Sequence, residues 1–297
     1  PPGSDTTATE EWTGAGAPVG AWSTGGNLNT ARQTLGGAGA SSTAALAFGG
    51  GPPGVAITEL YDGSSWTEVN DLNTGRAFLG GTGTQTAALA FGGEGPPIST
   101  ATEVWNGTNW ATSPGTLNTA RNLMAESGTS TSALAFGGEG PPNLAVTESW
   151  NGTSWTEVND LNTARRNFSG SGASNTEGLA IGGYITANTA SVESYNGTNW
   201  TETTDINTAR RGTGASGTPS STIVFGGYST TALALTEDWN GASWSEVADL
   251  ATARAGLAAA SQSTTSSVTF GGNNPSPVTA ATEEWSSSSN VVKTLTD

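Results

Sequence analysis

The sequence predicts an all-β fold, a β-propeller of six four-stranded blades closed by pairing of its terminal strands. Three observations predict it. The string Leu-Asn-Thr-Ala-Arg recurs six times with small changes, ending at Arg32, Arg76, Arg121, Arg165, Arg210 and Arg254, in steps of 44 or 45 residues. A Gly-Gly pair closes an apolar run six times, from Gly49-Gly50 to Gly271-Gly272. Between these marks a Glu is followed two residues on by an aromatic and, across a turn, by Trp, as in Glu103-Trp105-Trp110.

Each unit holds four strand-length pieces separated by turn residues. The first is placed directly after the arginine, as Ala77-Phe78-Leu79-Gly80-Gly81. The second, Ala87-Ala88-Leu89-Ala90-Phe91, alternates small and large side chains, which suits the crowded inner part of a tapering stack. The third is Ala101-Thr102-Glu103-Val104-Trp105, and the fourth starts at Trp110. Asn106-Gly107 between them is a hairpin signal, because both residues tolerate positive φ. Asn151-Gly152, Asn196-Gly197 and Asn240-Gly241 repeat it, and Asp62-Gly63 replaces it.

Six periods of about 44.5 residues fill about 267 positions and leave a partial extra copy. Ala8-Thr9-Glu10-Glu11-Trp12 matches Ala281-Thr282-Glu283-Glu284-Trp285, so seven third strands compete for six places. The N-terminal copy keeps a second tryptophan, Trp22, and its Arg32 exit, whereas the other decays into Ser286 to Ser289. The expectation is one propeller domain over 1–297. Residues 1–28 close the last blade, 273–297 are a redundant or tail segment, and seven blades are the alternative count.

Composition prunes the functions. Nine Lys plus Arg against 25 Asp plus Glu leave a net charge of −16, a surface that repels phosphate backbones and anionic headgroups. No nucleic-acid partner and no membrane insertion are expected, since no apolar run approaches a bilayer-spanning length. Absence of cysteine and histidine removes thiol nucleophiles, Ser-His-Asp arrangements and almost every zinc or copper site. No cofactor, metal or catalytic residue is predicted. The chain opens at Pro1-Pro2 without an initiator Met, as expected of a fragment or processed form.

The recurring order of Gly-Gly, Glu-x-aromatic, Trp and a loop ending in Arg resembles the kelch repeat over nearly the whole chain. That resemblance implies blades whose first strand lies nearest the axis and whose fourth lies at the rim. A kelch-type copper oxidase is similar in architecture, but its chemistry needs the histidines and the tyrosine–cysteine crosslink absent here. A sialidase signature box also fails, because Asp62 directly precedes Gly63. Near-identical Thr-, Ser-, Asn- and Gly-rich repeats with a single lysine, Lys293, resemble kelch-like repeats of bacteriophage tail fibres and virion appendages.

Repetition separates structural from functional side chains. Each motif arginine shares one local context, so it is expected to satisfy loop carbonyls and the neighbouring blade's glutamate rather than serve a site. Ten of the 11 tryptophans occupy recurring positions and are read as packing between blades. Asn106, Asn151, Asn167, Asn196 and Asn199 head N-x-S/T triplets, three of which are the Asn-Gly turn followed by threonine. The loop after Gly-Gly varies most, and it shares a face with the arginine loops. Glu94, Glu139, Tyr184, Tyr228, Asn273 and Asn274 from that loop, with the extra arginines Arg166 and Arg211, form the candidate ligand surface. The expected role is a non-enzymatic binding or structural propeller, extracellular or on a virion. It would recognise a glycan or partner protein through that face and assemble with other copies or virion proteins. The alternative is a secreted carbohydrate-active enzyme or accessory lectin domain.

Overall fold

The computed structural model describes residues 20–51, 53–95, 97–274 and 277–287. Every regular element within them is a strand. β1 (Ala21–Thr24) is followed by blade 1, β2 (Gly36–Ser41), β3 (Ala44–Phe48), β4 (Thr58–Tyr61) and β5 (Trp66–Val69). Blade 2 is β6 (Gly80–Thr84), β7 (Ala87–Phe91), β8 (Thr102–Trp105) and β9 (Trp110–Thr112). Blade 3 is β10 (Ala125–Thr129), β11 (Ser132–Phe136), β12 (Thr147–Trp150) and β13 (Trp155–Val158). Blade 4 is β14 (Ser169–Ser174), β15 (Glu177–Ile181), β16 (Val192–Tyr195) and β17 (Trp200–Thr203). Blade 5 is β18 (Gly214–Thr218), β19 (Ser221–Phe225), β20 (Thr236–Trp239) and β21 (Trp244–Glu246). Blade 6 takes β22 (Ala258–Ala260), β23 (Ser266–Phe270) and β24 (Thr282–Ser286), with β1 as its fourth strand. Inner strands contact in the order β2, β6, β10, β14, β18, β22 and back to β2. That is a closed six-bladed propeller.

The seam corrects part of the expectation for the termini. β1 does supply the outer strand, with Trp22 opposite Trp285, but the third strand is β24 from the C-terminal copy. Residues 277–287 are therefore structural rather than a tail, and the N-terminal copy at Ala8 to Trp12 lies outside the described residues. β24 wins its place by continuity: it follows β23 directly and carries Glu283, the partner of Arg254.

The alternating second strand explains how blades stack. Leu46 and Phe48 pack onto Ala88 and Ala90 of the next blade, and Leu89 and Phe91 onto Ala133 and Ala135. The fourth-strand tryptophan lies across the preceding blade's phenylalanine, with Phe48–Trp110, Phe91–Trp155 and Trp66–Phe270 centroids all 4.8 Å apart. Its indole N–H donates to a third-strand threonine of that same preceding blade. Trp66 reaches Thr282, Trp110 reaches Thr58, Trp155 reaches Thr102, Trp200 reaches Thr147 and Trp22 reaches Thr236. Blade 4 has Val192 where the others have threonine, and Trp244 donates to the Thr204 carbonyl instead.

Two details of local structure differ from expectation. First strands begin about three residues later than the arginine suggested, because the intervening residue adopts a left-handed conformation, as at Phe78 (φ 54°) and Leu123 (φ 51°). The Asn-Gly turn is a four-residue loop in which Gly107 alone takes positive φ. Asn106 instead uses its Oδ1 to accept the N–H groups of Thr108 and Asn109.

The left-handed residues build a belt. Thr34, Phe78, Leu123, Asn167, Gly212 and Gly256 occupy equivalent positions, and each N–H donates to the carbonyl of its counterpart one blade back. Gly256 passes the chain of bonds back to Thr34, so six bonds of 2.7–3.1 Å form a closed circle at one mouth of the axis. A second circle lies beside it. The second glycine of each Gly-Gly pair donates to the motif arginine's carbonyl in the next blade, from Gly50 on Arg76 at 3.0 Å to Gly272 on Arg32 at 2.8 Å. Both glycines of every pair sit at positive φ, and a Cβ on Gly92 would lie 2.8 Å from the Arg121 carbonyl, which is why glycine recurs there.

Candidate functional site

The repeated charges are consumed by the ring. In every blade the arginine Nη2 lies 2.7–3.1 Å from a glutamate oxygen, with both side chains almost fully buried. In five of the six, all but Arg210, Nη1 donates to carbonyls, as Arg32 does to Gly49 and Ile57 at 2.8 and 2.7 Å. The asparagine of the motif completes the arrangement, with the Asn118 backbone N–H and Nδ2 donating to the Glu148 Oε2 at 2.7 and 2.9 Å. The glutamate belongs to the blade that the loop enters, not to the neighbour. Contact with the neighbour runs through the arginine's backbone carbonyl. Burial lowers all six guanidinium pKa values, and the paired glutamate pushes each back up.

The unrepeated side chains gather on the face that carries the belt. Glu94, Glu139, Tyr184, Tyr228 and Asn273 occupy equivalent places, each bridged to the residue following a motif arginine: Ala77, Asn122, Arg166, Arg211 and Ala255 respectively. Asn274 stands exposed next to Asn273. From blade to blade the second set reaches back to the first. Asn122 Nδ2 donates to Glu94 Oε2 at 3.3 Å, and Arg166 is paired with Glu139. The Arg166 Cζ lies 5.3 Å from the Tyr184 centroid, and the Arg211 Cζ lies 5.0 Å from both Tyr184 and Tyr228. Seven of the eight sequence-predicted residues thus fall into one arc, and the two extra arginines alternate with the two tyrosines as stacked cation–π layers.

Sequence reading missed the axis. The channel is lined by first-strand residues and the belt, with a cavity volume of about 150 Å³, room for several waters. Among the described lining residues Glu126 is the single charged side chain. Its counterparts are Gly37, Gly81, Gly170, Ala215 and Ala259, as the strand registers show. A Cβ on Gly170 would lie 2.2 Å from the Glu126 carbonyl, so strands approach too closely at such positions for most side chains. Desolvation pushes the Glu126 carboxyl up from 4.5 to about 8, against a lowering backbone hydrogen bond from Gly81. Gln262 reaches across the channel to the Gly128 carbonyl at 2.6 Å. No described group of three or more Asp, Glu, His or Cys is gathered for a metal ion.

Glu126 makes stability depend on pH in a known direction. The unfolded chain releases this proton near 4.5, while the folded chain keeps it to about 8, so stability falls as pH rises through that window. Glu126→Gln is expected to match the wild type in urea unfolding below the lower value. At about pH 9 it should exceed the wild type by on the order of a few kcal/mol. Parallel pH profiles for the two proteins would refute the assignment.

No family model matches the chain, and no curated protein matches it. Among solved structures it is similar to one titled "Structure of YjhT", with a TM-score of 0.72 over 87% of this chain and 96% of that one, at 12% identity. That similarity concerns the six-bladed fold.

Proposed function

We propose that this chain is a non-enzymatic binding propeller with kelch-like repeats, displayed on a virion or outside a cell. It recognises a glycan or partner protein on a host or partner surface through the face that carries Glu94, Glu139, Tyr184 and Tyr228. The observation that carries this reading is the division of labour among polar side chains. Six arginine–glutamate pairs fasten each blade to its own entry loop, and the fourth-strand indole N–H groups tie it to the preceding blade. The side chains of the loops after Gly-Gly and of the residues after the motif arginines, which differ from blade to blade, sit instead on one face, where specificity is read by variation on a fixed scaffold.

One observation favours the second reading, a secreted carbohydrate-active enzyme or its lectin module. A carboxyl that holds its proton to about 8, as Glu126 does inside a concave channel, has the property of a general acid. Glycoside hydrolysis ordinarily uses two carboxyl groups, and the described channel lining offers one. A glycan array combined with product analysis separates the readings. Binding without cleavage, weakened by Tyr184→Ala or Arg211→Ala, supports recognition. Released sugar that disappears in Glu126→Gln supports the enzyme.

A further inference from the structure

The ladder on the variable face stops one rung short. Three successive blades place a side chain from the residue after the motif arginine against the loop of the preceding blade: Asn122 on Glu94, Arg166 on Glu139 and Arg211 on Tyr184. The next member of the series, Ala255, is bridged to Asn273 and has only a methyl group at the station from which Arg211 reaches Tyr184 one blade earlier. The floor beside it is bare as well. The belt residues of this sector are Gly212 and Gly256, at φ 63° and 60°, whereas Thr34, Phe78, Leu123 and Asn167 hold φ of 51–55° at the same station. Four blades carry a side chain in that conformation, so the backbone does not demand glycine in the other two. A Cβ on Gly256 would meet nothing nearer than 3.4 Å. Tyr228, Ala255, Gly212 and Gly256 therefore frame a notch over blades 5 and 6. One ring face of Tyr228 carries Arg211, and no second described cation lies over it.

We propose that this notch receives an arginine side chain of a partner protein, its guanidinium stacked on Tyr228 where Ala255 leaves the series unfilled. The proposal rests on reading this face as the binding surface and narrows its ligand to a cationic protein. Two features select that occupant. The neighbouring rungs already show a guanidinium at 5.0 Å from a tyrosine centroid, so the spacing repeats a contact the fold makes itself. The chain carries a net charge of −16, which draws cationic surfaces in and holds acidic ones off.

The test uses the full chain labelled with 3-fluorotyrosine. It has four tyrosines, Tyr61, Tyr184, Tyr195 and Tyr228, so each fluorine resonance can be assigned by single Tyr→Phe variants. Acetyl-Gly-Arg-Gly-amide is titrated at constant ionic strength beside the lysine and citrulline versions. The expected result is a saturable shift at Tyr228, larger than at the other three tyrosines, smaller with lysine and absent with citrulline. Ala255→Arg should shift Tyr228 in the free protein and abolish its response to the peptide. An unmoved Tyr228, an equal response to citrulline, or a response that survives Ala255→Arg each overturns the notch. If the notch fails while glycan binding still depends on Tyr184 and Arg211, the face remains the binding surface and only its cationic ligand is wrong.

Discussion

Removing residues 275–297 is expected to destroy the ring, and removing residues 1–26 to weaken it by about 3–5 kcal/mol. The shorter chain end matters more because of what each strand holds. β24 lies between β23 and β1, so its loss unseats two of the four strands in blade 6 at once. It also takes away Glu283 from buried Arg254, Thr282 from the Trp66 indole, and Trp285 from the core. Loss of β1 removes Trp22, with its contact to Phe225 at 4.8 Å and its bond to Thr236, but leaves three strands paired. Thermal unfolding of both truncations beside the full chain checks the order. A milder effect from the C-terminal deletion would mean that another segment can take the third-strand place.

Arg121→Ala should lower stability by about 3–5 kcal/mol, because it leaves the Glu148 carboxylate buried and without its cation. For a chain of this size that corresponds to a melting temperature lower by roughly 5–10 °C. Arg121 and Glu148 are both fully buried, so solvent cannot replace the lost partner. The Val146 and Ala135 carbonyls, which accept from Arg121 at 3.0 and 3.1 Å, lose their donor too. Replacing both charges together, as Arg121→Met with Glu148→Leu, should recover much of the loss, since no unpaired charge then remains. Ligand binding at the variable face should survive in the single variant at temperatures where it stays folded. An unchanged melting temperature with lost binding would instead make Arg121 a site residue.

The blades were readable in the sequence because each repeated residue answers a local demand. Gly-Gly marks two positive-φ positions, Trp marks the start of the fourth strand, and Arg with Glu marks a buried pair. The candidate arc was readable for the opposite reason: Arg166 and Arg211 break the pattern, and breaks stand out against near-identical copies. Three features were not readable. Ala8 to Trp12 and Ala281 to Trp285 offer almost the same strand, so the choice between them is made by tertiary pairing rather than by local preference. Glu126 reads as an ordinary polar residue in a short strand until strand register places it among glycines and alanines at the axis. The belt leaves no residue type behind, since Thr34, Phe78, Leu123 and Asn167 share a backbone conformation and nothing in chemistry.

The closed circle of belt bonds bears on the order in which the molecule can assemble. An open solenoid gains stability one repeat at a time, because each unit needs only its neighbour. Here the bond from Thr34 to Gly256 and the indole bond from Trp66 to Thr282, 216 residues away in the chain, form only once both ends have met. Hydrogen bonds in a chain strengthen one another, so the circle rewards its last member more than its first. Bringing distant segments together is the slow part of folding. The meeting of the two ends is thus the step expected to limit refolding, one that a nascent chain cannot take until its last blade has left the ribosome.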